Sequence, residues 1–186
     1  MPKYLAITRF LSDKFSPEQL AEITAIAGED YCVQQIDAIP ADAYGDIQIV
    51  FGQPEREAVK KMPDLRWLGL DSAGVDGWND RAAYAHPAFV LTNATGAYGL
   101  CIAEHILALM LGLQRGLHRY RDHQNEHEWV QERVGVDLEG ATVAIVGLGD
   151  IGLHTAQKCA ALGAHVLAVK RTPCPKPDCV EELYFD

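Results

Sequence analysis

The chain has 186 residues, 48% hydrophobic and 23% charged, enough for one medium domain or two small ones with a real hydrophobic core. Its formal net charge of −10 argues against a nucleic-acid partner, because a phosphate-binding face needs clustered Lys and Arg. Its most apolar segment, Ile106 to Leu113, is too short to span a bilayer and Met1 to Phe10 carries no secretory pattern, so no membrane partner is expected.

In chain order, Lys3 to Thr8 (KYLAIT) reads as a first strand. Ser16-Pro17-Glu18-Gln19 reads as a helix start, with Ser16 as N-cap, Pro17 at the first helical position and Gln19 closing a capping box. That helix carries Leu20, Ile23 and Ile26 on one face. Tyr31 to Ile36 and Asp46 to Phe51 are the second and third strands, the latter ended by Gly52. Pro54 to Met62 reads as a short charged helix stopped by Pro63, followed by strands at Leu65 to Leu70 and Phe89 to Thr92. Strands alternating with helices at this spacing imply parallel βαβ units, with ligands at the carboxyl ends of the strands.

The fourth strand runs into Asp71-Ser72-Ala73-Gly74-Val75-Asp76, small residues around one glycine. Such a turn presents consecutive backbone N–H groups, a nest suited to a carboxylate or a phosphate, and the same composition also suits a plain surface turn. From Tyr98 to about Tyr120 a long helix is apolar nearly all round at its centre, through Leu100, Ile102, Ile106, Leu107, Leu109, Met110, Leu111 and Leu113. It must be covered by a domain interface or by another subunit. Glu104 and His105 near its start read as a satisfied structural pair, and His118 to Glu132 is polar, with Trp129 as its one large anchor.

Thr142 to Thr172 is the most informative stretch: the strand TVAIV, then Gly147-Leu148-Gly149-Asp150-Ile151-Gly152, a helix closed by Gly163, the strand HVLAV and Lys170-Arg171-Thr172. A G-x-G-x-x-G run with a β-branched strand before it and a helix after it is the dinucleotide fingerprint in its required context. The first glycine permits the tight turn, the second admits a pyrophosphate to the backbone, and the third lets helix pack on strand. Free N–H groups and the positive helix end then face the phosphates.

The five cysteines, Cys32, Cys101, Cys159, Cys174 and Cys179, are scattered and odd in number, the pattern of reduced thiols in a cytoplasm. Cys174 and Cys179 lack C-x-x-C spacing, and His123 and His127, though i,i+4, lack a third ligand at readable spacing, so no metal site is expected.

LRWLGLDSAGVD at 65 to 76, LTNATGAYGLCIAEHILALML at 91 to 111 and LEGATVAIVGLGDIG at 138 to 152 together resemble the D-isomer-specific 2-hydroxyacid dehydrogenases, and the resemblance covers essentially the whole chain. It implies an α/β fold of two Rossmann-like parallel-sheet domains: a flavodoxin-like substrate domain over residues 1 to 97, and a dinucleotide-binding domain opening at residue 98. It implies an active site in the cleft between the domains and a homodimer formed through the helix at 98 to 120. The turn at Ser72, Ala73, Gly74 and Val75 matches the family's substrate-carboxylate loop, with the N–H groups of Gly74 and Val75 as donors. Gly147, Leu148, Gly149, Asp150, Ile151 and Gly152 match its cofactor pyrophosphate loop.

An acidic residue at the end of the second nucleotide strand normally accepts the ribose 2′-hydroxyl of NAD. Here that position holds Lys170, Arg171 and Thr172, which can bond a 2′-phosphate, so NADP(H) is the expected cofactor and NAD the alternative. The family's catalytic Arg, Glu and His lie on segments that would follow Asp186, so no catalytic residue is assigned. The second domain is accordingly expected to stop after its first βαβ unit, with Glu182 to Phe185 resembling the start of a further strand. The activity implied is reversible reduction of a glyoxylate- or hydroxypyruvate-like 2-keto acid. A non-catalytic nucleotide-binding or dimerisation module, or an inactive fragment, is the alternative, and this chain alone is expected to be inactive.

Overall fold

The computed structural model describes residues 3–36, 45–132 and 135–186, and the chain divides into two compact units, Met1–Thr95 and Gly96–Asp186. In the first unit the strands are β1 (Lys3–Thr8), β2 (Tyr31–Ile36), β3 (Ile47–Phe51), β4 (Trp67–Gly69) and β5 (Val90–Thr92). They pair in the order β2-β1-β3-β4-β5, every pair parallel, which is the flavodoxin-like order of a doubly wound sheet.

Alternation of side chains along the strands gives this sheet two apolar faces. Leu5, Ile7, Ile49 and Phe51 meet Leu11 of α1 (Arg9–Ser12) and Leu20, Ile23 and Ala27 of α2 (Pro17–Ala27). Ala6, Val50 and Leu68 pack on the other side with Ala58 and Val59 of α3 (Arg56–Val59), together with Met62, Leu65, Trp78 and Tyr84. Parallel sheets are covered on both faces because their crossovers put helices there. The expected capping box is present: Ser16 Oγ accepts from the Gln19 N–H and the Gln19 amide oxygen accepts from the Ser16 N–H.

In the second unit α4 (Gly99–Gln114) and α5 (Leu117–Asn125) precede β6 (Thr142–Val146), α6 (Asp150–Ala161), β7 (His165–Lys170) and β8 (Glu182–Phe185). The sheet order is β6-β7-β8, again all parallel, so the residues expected to begin a further strand do form one, paired with β7. Ile145, Val166, Ala168 and Val180 make its core with Ala156 and Cys159 of α6, and Leu107 and Met110 of α4 close over it.

Several local expectations are corrected. The helix expected to run unbroken from Tyr98 to Tyr120 is two helices bent by 63°, because Gly116 adopts the left-handed conformation (φ 62°, ψ 28°) between them. A residue without Cβ takes that conformation at little cost, and it ends the first helix. The helix expected over Pro54 to Met62 is confined to Arg56–Val59. Ile26 is 79% exposed, because α2 packs through the stripe Leu20, Ile23 and Ala27 and Ile26 falls at its rim. Trp129 anchors nothing within the described residues and is fully exposed. The segment bearing it is tied down by polar groups instead, with Arg119 bridging to Glu132 at 3.3 Å and Tyr120 Oη donating to the Glu132 carbonyl at 3.2 Å.

The buried strand residue Leu68 and the rim residue Ile26 make contrasting probes of this packing. Leu68→Ala is expected to destabilise the N-terminal unit by about 2 to 5 kcal/mol. Ile26→Ser should stay within about 0.5 kcal/mol of wild type. Urea midpoints measured on both variants check the contrast.

Candidate functional site

Parallel pairing brings the carboxyl ends of β3, β4 and β5 to one edge of the first sheet, and the turn at 71 to 76 leaves from the end of β4. The carbonyls from Ser72 to Asp76 are all hydrogen-bonded within the unit. Ser72 O accepts from the Ala94 N–H (3.0 Å), Ala73 O from the Asn93 side-chain amide (2.7 Å) and Gly74 O from the Ser72 hydroxyl (2.9 Å). Val75 O accepts from the Trp78 N–H (2.8 Å) and Asp76 O from the Arg56 guanidinium (2.7 Å). With every carbonyl occupied, the N–H groups of Ala73, Gly74 and Val75 are left without an acceptor among the described residues. Ala73 and Gly74 are exposed. Consecutive N–H groups without an internal acceptor are the chemistry of a nest, in which the donors are neutral. The flanking Asp71 carboxylate accepts from the Gln53 side-chain amide at 2.7 Å.

Asn93, Gln53 and Arg56 were not singled out by the sequence reading. Their partners lie 18 to 20 residues away, and no local pattern marks such contacts. The available signal was topological: residues just beyond neighbouring parallel strands share one edge of the sheet.

The glycine-rich loop stands at the carboxyl end of β6. Gly147 has φ 98°, a conformation suited to glycine, and its N–H donates to Val169 O of β7 at 2.9 Å. Gly149 is the N-cap of α6, and among the described residues no atom lies within 4 Å of where a Cβ would stand on it, leaving that side of its backbone open. Gly152 lies where any Cβ would collide with the Gly147 carbonyl and press on Ile145. The three positions thus serve as tight turn, open approach and close helix-to-strand contact, the division of labour a dinucleotide loop requires. Gly149 supplies no side-chain cap, so the first-turn N–H groups of α6 keep no intrahelical or capping acceptor. Leu148 is buried in the core, and Asp150 and Ile151 open the helix.

The strand β7 ends at Lys170, with Arg171 and Thr172 exposed directly beyond it. Neither cationic side chain has an ion-pair or hydrogen-bond partner among the described residues. Glu104 does not pair with His105 as expected: it pairs with Lys158 of α6 at 3.1 Å, and His105 is exposed with no partner among the described residues. On α6, His154 stands 3.6 Å from Asp150.

A larger concavity, about 820 Å³, lies at the end of α5 among Tyr120, His123, His127, Glu128, Trp129 and Val130. Both ring nitrogens of His123 face carboxylates, Glu128 at 3.3 Å and Glu132 at 3.0 Å. Only the doubly protonated ring can donate to both, so Glu132 first and Glu128 second raise its pKa, while the contact with His123 chiefly lowers that of Glu132. His127 stands outside the helix with φ 57°, and no group of three metal-ligating side chains occurs among the described residues. Among those residues, too, no single helix is long and apolar enough to cross a membrane.

Residues 107–185 match the family model for the D-isomer specific 2-hydroxyacid dehydrogenase, NAD binding domain. A D-3-phosphoglycerate dehydrogenase of Archaeoglobus fulgidus is 32% identical over 115 residues, 61% of this chain and 22% of that protein. An (S)-sulfolactate dehydrogenase of Chromohalobacter salexigens is 31% identical over 115 residues, again 61% of this chain and 37% of its own length. The crystal structure of a D-isomer specific 2-hydroxyacid dehydrogenase family protein from Aeromonas salmonicida superposes with a TM-score of 0.81 at 25% identity, covering 99% of this chain and 58% of that one. The chain thus spans well under two thirds of these relatives.

Asn93→Ala removes the donor that turns the Ala73 carbonyl inward, at a cost of about 1 kcal/mol. Faster amide exchange at Ala94 and Trp78, whose N–H groups donate to the carbonyls of the turn, is the expected result, and unchanged exchange there would count against the role given to Asn93. The His123 bridge gives a pH dependence of definite sign. Because its folded-state pKa is raised, its contribution is complete below the ordinary value of 6.5 and disappears as pH rises through the raised value. Thermal melts of wild type and His123→Gln should therefore differ at pH 5.5 to 6.5 and converge in alkali.

Proposed function

We propose, from the match of residues 107–185 to the D-isomer specific 2-hydroxyacid dehydrogenase, NAD binding domain, that the chain serves an oxidoreductase that reversibly reduces a 2-keto acid to the D-2-hydroxy acid with NADP(H). The observation that carries this reading is the loop from Gly147 to Gly152: an open backbone at Gly149 and an uncapped helix start, set between two parallel strands. Those features fit a pyrophosphate, whose charge is met by N–H groups and by the positive end of α6.

The residues divide the work. The N–H groups of Gly149, Asp150, Ile151 and Gly152 hold the pyrophosphate, and Leu148 anchors the loop in the core beneath it. Lys170, Arg171 and Thr172 take the 2′-phosphate of the adenosine ribose; an acid among them would repel it, and these three positions hold none. NAD(H) remains the second reading, bound by the glycine loop with the two cations solvated. In the N-terminal unit the nest at Ser72, Ala73, Gly74 and Val75 holds the substrate carboxylate, with Gly74 and Val75 donating. The chemistry that a nicotinamide cofactor held by the glycine loop would supply is hydride exchange with the 2-carbon of a 2-keto or 2-hydroxy acid. No residue between Met1 and Asp186 is assigned the accompanying proton transfer.

A glyoxylate- or hydroxypyruvate-like acid is the substrate proposed, on the grounds that the nest recognises only the carboxylate end shared by all 2-keto acids. The relatives named for phosphoglycerate and sulfolactate differ at the far end, which the nest does not touch. We place a homodimer contact on α4, where Leu100, Leu109 and Leu113 are exposed on a helix that is apolar nearly all round. The five free thiols suit the cytoplasm.

Equilibrium titration tests the cofactor assignment. A charge-assisted contact contributes about 1.5 to 3 kcal/mol, so NADPH should bind about 10- to 100-fold more tightly than NADH, and Arg171→Ala should remove most of the difference. A clear NADH preference in wild type would overturn the NADP(H) assignment. The 186-residue chain is expected to bind nucleotide without reducing glyoxylate or hydroxypyruvate, and measurable turnover would show that it contains a proton-transfer residue.

A further inference from the structure

The glycine loop contains an electrostatic conflict. Asp150 is the first residue of α6, where a carboxylate stabilises the helix through its dipole but would repel a phosphate arriving at the same N–H groups. The carboxylate is turned sideways onto Gly99, at the start of α4. A Cβ at position 99 would stand 2.6 Å from both carboxylate oxygens and closer still to the His154 ring. His154 Nε2 lies 3.6 Å from Asp150 Oδ1, and both side chains are only partly exposed. Glycine is thus the residue that leaves this space open, although it is unfavourable within a helix.

We propose that Gly99 is a positioning residue for the nucleotide loop: it provides the space in which the Asp150 carboxylate is held beside α4 and His154, off the N–H groups that receive the pyrophosphate. The inference rests on the reading of Gly147 to Gly152 as a pyrophosphate site. It also assigns His154 a role, as the side chain that closes the far side of that space. Charge in the wrong place, rather than lost packing, is then the consequence of filling position 99.

NADPH and NADH titrations of wild type, Gly99→Ala and Gly99→Ala/Asp150→Asn test this. Displacing one carboxylate toward the phosphates is expected to weaken NADPH binding about tenfold in Gly99→Ala. The isosteric Asp150→Asn should restore it to within about threefold of wild type by removing the charge while leaving the crowding. Undiminished binding by Gly99→Ala, or no rescue by Asp150→Asn, would overturn the proposal. A second pair keeps Gly99 in place, should its variant not fold. Asp150→Glu, too long for the space, should bind NADPH about tenfold more weakly than the equally long but neutral Asp150→Gln. Equal affinities would again refute it. If wild type binds neither nucleotide, the reading of the loop itself fails, a result distinct from any in the variants.

Discussion

Parallel strand pairing is the constraint on which the rest of this structure depends. Parallel strands of one sheet start at the same edge, so within each sheet every turn that leaves a carboxyl end joins that sheet's own rim, and both sheets are parallel throughout. The 71 to 76 turn leaves β4, the glycine loop leaves β6, and Lys170 to Thr172 leave β7. Asn93 and Gln53 reach the 71 to 76 turn for the same reason, since each follows a strand next to β4 or one that pairs with it.

A net charge of −10 does not decide the field at any one loop, because the relevant charge is local. In both loops the donors are backbone N–H groups, which carry no counter-charge and require no side-chain ordering. Each loop also carries acids beside its donors, Asp71 and the exposed Asp76 in the first and Asp150 in the second. Asp71 is engaged by Gln53, and Asp150 lies against Gly99 and His154. At the end of β7 the side chains of Lys170 and Arg171 have no partner among the described residues.

Strand positions were legible because a parallel strand is a short apolar run bounded by breakers, and KYLAIT, YCVQQI and TVAIV form strands at the residues expected. The glycine loop was legible because its three glycines answer three local requirements of one turn. The helix around Gly116 was not, because the apolar pattern of Gly99 to Gln114 continues through Leu117 and a single glycine within it can be tolerated or can break it. Trp129 was misread on its size. Large aromatic side chains are usually covered, but here the segment holding it is fixed by His123, Arg119 and Glu132.

By itself the sequence determined the local devices: the capping box at Ser16, the strand, glycine loop and helix of the nucleotide fingerprint, and a cationic pair in place of an acid at the end of the second nucleotide strand. These depend on residues a few positions apart, whose geometry the backbone dictates. Only the tertiary structure decided what each device is free to do. Asn93, Gln53 and Arg56 hold the 71 to 76 turn with its N–H groups outward, and Gly99 gives the Asp150 carboxylate a place beside α4. Such contacts join residues far apart in the chain through packing, and packing has no signature in any one stretch of sequence.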